Sequence, residues 1–352
     1  MQKDWILQVK NLDICFTLRG RRLHALRDIS LNVQRGESLA IVGESGSGKS
    51  VLAKSLLGLL DANGRIVNGQ ILYNPQNGEA QRDLATLRSE KDWLPYRGGE
   101  IAIVMQDPLT SLNPLMTIGK QITEALRIHQ NQHGEAAKKA ALAFLDDVGI
   151  TEPERRLRQH PHEFSGGMRQ RVAIAIAMAC HPRILICDEP TTALDVTIQA
   201  QILGLIKRMQ LKYGLTTIYI THDLGVVANI ADRIAVMYAG DFVEIGACEE
   251  IFYDSRHPYT WALLSSLPQL GSKGGELYTI AGTPPNLFEE TTGDAFAPRN
   301  PRALEIDFLS RPPIFEISPT HSARTWLLDS RAPKVDPPPY ILSLRERRNL
   351  QP

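Results

Sequence analysis

Apolar and polar residues alternate over residues 5–42 in three short runs, at 6–9, 12–17 and 29–33. A two-residue period of this kind predicts an antiparallel β unit. Arg19-Gly20-Arg21-Arg22, between the second and third runs, reads as a hairpin turn. Ser38-Leu39-Ala40-Ile41-Val42 is a short apolar run of strand type, and Val51-Leu52-Ala53-Lys54-Ser55-Leu56-Leu57 has a helical pattern. Residues 74–99 are polar and turn-rich, a surface excursion between strands, and residues 101–105 return as a strand. From 115 to 157 the period becomes helical, with Ile118, Ile122, Ala125 and Leu126 on one face and Ala141, Leu142, Leu145 and Val148 on another. Three apolar strands follow at 184–187, 217–220 and 234–238, separated by helical patterns, which predicts a parallel α/β sheet. Past Pro258 prolines become frequent and periodicity fades, marking a second module. The proline- and charge-rich tail, 333–352, is expected to be extended or disordered.

Composition narrows the class. A chain of 352 residues has room for two domains. Lys+Arg and Asp+Glu are equal at 39 each, so no overall basic field points toward nucleic acid. The N-terminus, Met-Gln-Lys-Asp-Trp, lacks a signal-peptide pattern. No apolar run approaches the roughly 18–20 residues of a membrane span. The longest, 172–180, is alanine-rich and reads as a packed helix. A soluble protein is expected, with any membrane role exercised through partners. Cys15, Cys180, Cys187 and Cys248 are scattered without ligand spacing, which suits small buried thiols in a reducing cytoplasm.

Two stretches carry phosphate chemistry. Gly43-Glu44-Ser45-Gly46-Ser47-Gly48-Lys49-Ser50 fits G-x-x-x-x-G-K-[ST], placed between a buried strand and a helix N-terminus. Glycines let backbone N–H groups turn inward around a phosphate. The helix end adds about 0.3–1 kcal/mol in exposed settings, too little to hold a polyphosphate. Lys49 and a magnesium ion on the Ser50 hydroxyl supply most of the rest. Residues 43–50, with Val51 opening the helix, form the expected nucleotide-binding set. The strand 184–187 then delivers Asp188 and Glu189. Asp188 is expected to hold magnesium, while Glu189 faces the γ-phosphate and polarises the attacking water. One carboxylate cannot serve both roles, because a metal-bound oxygen is a poor base; general-base help is worth about 10²–10⁴ in rate.

Ser165-Gly166-Gly167-Met168-Arg169-Gln170 leads into the apolar helix 172–180 and makes a second bed of backbone N–H groups. No single nucleotide needs two complete beds, so this one is expected to serve a nucleotide held mainly by another subunit. This stretch resembles the signature motif of ATP-binding-cassette ATPases. The resemblance covers about residues 5–255, with the family's motifs in order. It implies an ABC-type P-loop NTPase: a RecA-like parallel α/β core, an antiparallel β subdomain and a helical signature subdomain at about 107–180. Phe16 lies where the family stacks an aromatic ring on adenine, and Gln106 where the Q-loop glutamine senses magnesium and the transmembrane partner. Ala193-Leu194-Asp195 resembles the D-loop, and His222 the switch histidine that contacts the γ-phosphate. The resemblance implies that Glu189, His222, Lys49 and Gln106 are catalytic and that Ser50, Gln106 and Asp188 serve magnesium. Phe16 joins residues 43–51 on this chain's own ATP, and Ser165, Gly166, Gly167 and Gln170 complete the partner's.

Gln106-Asp-Pro-Leu-Thr-Ser-Leu-Asn-Pro114, Ile118-Gly119-x-Gln121-Ile122 and His257-Pro-Tyr-Thr260 with Leu263-Leu-Ser-Ser-Leu-Pro268 resemble the oligopeptide/dipeptide/nickel importer branch. Within it the chain resembles the D-type ATPases of oligopeptide permeases. Gly282-Thr-Pro-Pro-Asn286 and Phe296-Ala-Pro-Arg299 belong to that branch's C-terminal extension, expected over 256–332. Many members place four iron–sulfur cysteines there, whereas this chain has Asp294, Asn300, Asp307 and Thr325. No cluster is expected, since thiolates hold such clusters. Asp294 and Asp307 are expected to be solvated surface carboxylates rather than ligands of a hard cation. The implied partners are a second, F-type ATPase in a head-to-tail dimer, two integral membrane permease subunits, and an extracytoplasmic peptide-binding protein acting through them. The implied location is the cytoplasmic face of the cell membrane. Importers of nickel or other small solutes belong to the same branch. A soluble cassette acting on DNA or ribosomes commonly has two cassettes, coiled-coil arms or zinc cysteines, and this sequence has none.

Overall fold

The computed structural model describes residues 4–75, 80–107, 111–192, 194–267, 280, 282–289 and 291–349, with the side chains of the last helix described through 346. The fold is α/β, and two compact units can be distinguished: Met1–Val33 with Ser38–Ala85 and Thr221–Pro352, and Gln34–Glu37 with Thr86–Ile220. Parts of the quoted branch motifs (108–110, Pro268) and Ala193 lie outside the described residues.

In the first unit, the three expected N-terminal runs resolve into two 14-residue strands, Trp5–Leu18 and Arg21–Gln34. Arg19 and Gly20, at φ +50° and +75°, form the two-residue turn, the left-handed pair that matches strand twist. The first two runs are one strand because Asn11, at φ +46°, inserts a bulge where the register against Gly64–Tyr73 shifts. Arg82–Asp83 completes this sheet, in the order Arg21–Gln34, Trp5–Leu18, Gly64–Tyr73, Arg82–Asp83.

A second sheet of the same unit carries the phosphate loop. Ser38–Val42, buried at every position, runs parallel to Arg233–Tyr238. The latter turns through Ala239-Gly240 (φ +48° and +82°) into the antiparallel strand Asp241–Ala247. The proline-rich segment continues this sheet: Ser322–Ala323 pairs with Asp241–Ala247, and Phe315–Glu316 pairs with Ser322–Ala323. Two-residue strands are too short to display a period. That is why alternation fades there although the chain stays ordered.

The tail departs from expectation. Pro339–Asn349 is a helix, with Ile341 and Leu344 buried at 0% and 6% exposure. The Tyr340 hydroxyl donates to the Trp261 carbonyl. Arg345 donates to the carbonyls of Tyr253 (3.2 Å) and Ser255 (3.3 Å) at the end of the helix Cys248–Asp254. Proline is compatible with a first helical turn, and one apolar pair three residues apart suffices to dock a helix whose composition reads as polar.

Asp294 and Asp307 also depart from expectation: they are buried, at 8% and 1% exposure, not solvated. Asn300 and Thr325 are buried as well, at 7% and 1%. Each accepts a nearby backbone N–H: Asp294 from Phe296, Asn300 from Arg302, Asp307 from Leu304 and Thr325 from Leu327. Short polar side chains that satisfy their own turns can be buried at low cost. Burial raises the Asp294 carboxyl to about 7 and pushes Asp307 up as well. Among the described residues no group of three or more His, Cys, Asp or Glu could hold a metal.

In the second unit, Ile101–Val104, Ile184–Asp188 and Thr216–Thr221 form the expected parallel strands, with Ile101 opposite Ile184 and Ile184 opposite Thr216. Helices Ile118–Gln130, Gly134–Asp147 and Gly166–Met178 pack on one another, and Val196–Tyr213 packs on Gly166–Met178. Among the described residues no helix is long and apolar enough to cross a membrane.

Candidate active site

The first unit supplies the phosphate loop at the C-terminal end of Ser38–Val42, where open α/β sheets bind ligands. At Gly43 a Cβ would lie 2.1 Å from the Met237 carbonyl oxygen, so no other residue fits. Gly48, at φ +106°, caps the helix Lys49–Leu56. Ser45, Gly46 and Ser50 face solvent, Glu44 and Val51 are half-buried, and Ser47 and Lys49 are buried. The Lys49 ammonium donates to the carbonyls of Gly43 and Glu44, both at 2.8 Å, and to Ser47 Oγ at 3.4 Å. A lysine folded onto its own loop, beside glycines closed to any Cβ, is a fixed cation under an amide bed. These residues fit a polyphosphate, and Ser50, the residue of the motif that would serve magnesium, is exposed beside them.

Phe16 lies opposite Gly64 in the first sheet. A Cβ at Gly64 would come within 2.6 Å of the Phe16 ring, so that glycine makes the room for it. The ring is half-exposed, as a stacking surface requires. His222 is exposed in the turn after Thr216–Thr221. That turn is set by its neighbours: Thr221 Oγ1 accepts from the Asp223 N–H (3.0 Å), and Asp223 Oδ1 accepts from the Gly225 N–H (2.8 Å).

The second unit supplies the acids. Ile184–Asp188 is buried throughout and ends on Asp188 at 8% exposure. Glu189 follows at φ +47° and donates its N–H to the Ile220 carbonyl (2.8 Å). A left-handed glutamate before a proline stores strain of order 1–3 kcal/mol, a feature that clusters at active sites. Its Oε2 accepts from Gln106 Nε2 (3.0 Å) and from the Thr192 hydroxyl (2.9 Å). The structure thus brings Gln106 and Glu189 together, and Thr192 with them, a residue the sequence reading did not single out.

The same unit carries the signature bed. Ser165 caps Gly166–Met178, its Oγ accepting from the Met168 N–H at 3.4 Å. Ser165 and Gly166 are exposed, whereas a Cβ at Gly167 would meet Ile198 at 2.9 Å. Arg169 is engaged by the carbonyls of Pro161 (2.8 Å) and His162 (3.5 Å). Gln170 is 1% exposed and its Nε2 has no hydrogen-bond partner among the described residues, so it does not share the open face of Ser165 and Gly166. In the D-loop stretch, Asp195 caps Val196–Tyr213 through the Ile198 N–H (3.0 Å). Burial pushes the thiols of Cys180 and Cys248 up to about 11 and that of Cys187 higher still, so these cysteines are inert.

Two further residues touch the phosphate loop. Arg299 forms a two-pronged ion pair with the Glu44 carboxylate (2.7 and 3.0 Å), and the Tyr259 hydroxyl accepts from the Glu44 N–H (2.8 Å). Both lie in stretches that mark the branch, His257-Pro-Tyr259 and Phe296-Ala-Pro-Arg299. Sequence spacing carries no signal for a contact spanning 255 residues.

Comparison with known proteins agrees with this geometry. Residues 26–192 match the family described as ABC transporter, and residues 243–306 match the oligopeptide/dipeptide transporter C-terminal region. The chain is 54% identical over 98% of its length to the oligopeptide transport ATP-binding protein AmiE of Streptococcus pneumoniae, covering 96% of that protein. It is 55% identical over 96% of its length to OppD of Bacillus subtilis, named for the same role, covering 92% of it. It is 51% identical over 99% of its length to the dipeptide transport ATP-binding protein DppD of Lactococcus lactis, covering 98% of it. Among solved structures, the dimeric post-hydrolysis state of the ATP-binding cassette MJ0796, bound to ADP and phosphate, superposes with a TM-score of 0.60 at 29% identity. The match covers 69% of this chain and 98% of that one.

Proposed function

The chain belongs to the ATP-binding proteins of oligopeptide and dipeptide ABC transporters, and from that premise we propose that it is one of two ATPase subunits driving a peptide importer. It binds ATP with magnesium and hydrolyses it, coupling turnover to peptide uptake. On this reading residues 1–255 form the cassette and 256–332 the branch-specific extension. The second ATPase is a distinct, F-type chain packed head to tail. Two membrane permease subunits engage the region of Gln106, and an extracytoplasmic peptide-binding protein delivers cargo through them. The protein then works at the cytoplasmic face of the membrane. The peptide names of its relatives favour peptide over nickel as cargo.

The chemistry is positioning and charge stabilisation. Phe16 stacks the adenine, and residues 43–50 grip the phosphates. The Lys49 ammonium exchanges loop carbonyls for phosphate oxygens. Ser50, Gln106 and Asp188 would hold magnesium, which would supply positive charge to the phosphates. Glu189 takes the proton of the attacking water and His222 contacts the γ-phosphate. Glu189 Oε2 is engaged by Gln106 and Thr192 in this state. Gln106 thus contacts the base directly, which couples the residue facing the membrane partner to the chemical step.

The observation that carries the reading is the second amide bed. Ser165 and Gly166 open a helix toward solvent, and the nearby Arg169 is engaged by backbone carbonyls. Such a bed is useful to a polyphosphate gripped elsewhere, by a partner's lysine. The test is Glu189→Gln in the reconstituted complex. ATP binding persists while hydrolysis and transport fall by about 10²–10⁴. Turnover within a few-fold of the unaltered complex would remove Glu189 from the role of base.

A further inference from the structure

Glu44 is the junction between the phosphate loop and the C-terminal segment, and three ties meet on it. Its carboxylate takes the two-pronged Arg299 ion pair at 2.7 and 3.0 Å, its N–H donates to the Tyr259 hydroxyl at 2.8 Å, and its carbonyl accepts from Lys49 Nζ at 2.8 Å. The Arg299 side chain is 6% exposed. It is seated by a further bond to the Tyr238 hydroxyl (3.2 Å), and Tyr238, Tyr259 and Phe296 pack as an aromatic cluster with centroids 4.6–5.3 Å apart. A planar guanidinium bound through two nitrogens fixes both the position and the orientation of a carboxylate. Glu44 would otherwise place a negative charge inside a loop that must accept a polyphosphate, and like charges at this range repel.

We propose that Arg299, with Tyr259, is a positioning residue for the nucleotide: it neutralises and orients Glu44, and so sets the phosphate loop's affinity for a nucleoside triphosphate. The C-terminal segment is then part of the ATP site. Any displacement of that segment weakens nucleotide binding without touching a catalytic group.

The inference rests on the reading of the chain as an ATP-binding protein, and titration of full-length protein with MgATP by calorimetry separates the two. If the unaltered chain binds no MgATP, that reading fails. If it binds, the variants decide the inference. Arg299→Ala weakens binding about tenfold, the loss expected from unpairing a nearly buried charge pair. Adding Glu44→Gln to Arg299→Ala removes the stranded charge and restores affinity to within about threefold of the unaltered chain. A purely structural role for Arg299 would not be rescued this way. Arg299→Ala binding within twofold of the unaltered chain, or a double variant as weak as the single, overturns the proposal. If Arg299→Ala does not fold, Arg299→Lys carries the test: it keeps the cation but loses the two-pronged grip, and affinity falls about threefold. Affinity equal to that of the unaltered chain overturns the positioning account. In the assembled transporter the Arg299→Ala defect appears in KM for ATP, with kcat nearly unchanged.

Discussion

Two serine–glycine beds open two helices of this chain, and they differ in how the cation beside each is held. At residues 43–50 the bed is walled by Met237, ends on a buried lysine and is tied through Glu44 to Arg299 and Tyr259. At Ser165–Gly167 the serine caps its own helix, and the nearby Arg169 is engaged by the carbonyls of Pro161 and His162. A helix N-terminus alone contributes about 0.3–1 kcal/mol to an exposed anion, so the second bed cannot retain a nucleotide by itself. On the proposed function the first is a grip and the second a clasp that closes on a grip supplied by another chain.

The largest expected effect tests that asymmetry directly. Lys49→Ala abolishes MgATP binding by the purified chain, a loss of about 10²–10³ or more for a fixed charge on a phosphoryl group. Ser165→Arg leaves that binding within twofold while turnover of the assembled complex collapses. Equal loss of binding in both variants, measured by calorimetry, would erase the distinction between the beds.

A smaller effect concerns the brace of the first bed. Asp294 Oδ1 holds the Phe296 N–H, and Phe296 packs on Tyr259. Burial raises the Asp294 carboxyl to about 7 from an ordinary 3.8. The folded state therefore keeps its proton while the unfolded chain has already lost it. The stability this contributes is complete below about pH 4 and is lost as pH rises toward 7. Asp294→Asn keeps the acceptor and removes the titration. It raises Tm by about 2–4 °C at pH 8 and by less at pH 5, read by thermal melting at both values. An equal gain at the two pH values would show that Asp294 does not titrate in this window.

The smallest effect sharpens the second bed. Ser165→Ala removes a single cap and destabilises the first turn of Gly166–Met178 by about 0.5–2 kcal/mol. Hydrogen exchange at Met168 reports it, and MgATP affinity of the isolated chain is unchanged.

Much of the site was legible because it is local. The 43–50 bed, the Asp188-Glu189 strand end and the Ser165 cap each depend on neighbours within a few residues, where residue type and backbone geometry are directly coupled. The parallel strands were legible for the same reason, since a buried strand writes its burial into consecutive positions. The two N-terminal strands were read as three runs because the bulge at Asn11 interrupts the alternation. The tail helix was missed because two buried side chains, Ile341 and Leu344, are too few to outweigh its polar composition.

By itself the sequence determined the chemistry available: a lysine and serine after a glycine cradle, two acids after an apolar strand, a second Ser-Gly-Gly bed at a helix start. Tertiary structure alone decided which of these are coupled. Gln106 meets Glu189 across 83 residues, and Arg299 meets Glu44 across 255. Asp294 and Asp307 are buried where their charge predicts solvent. The physical reason is one of range: a turn or a cap is set by bonds between near neighbours in the chain, whereas an ion pair or a buried carboxyl depends on the packing of segments that no local pattern encodes.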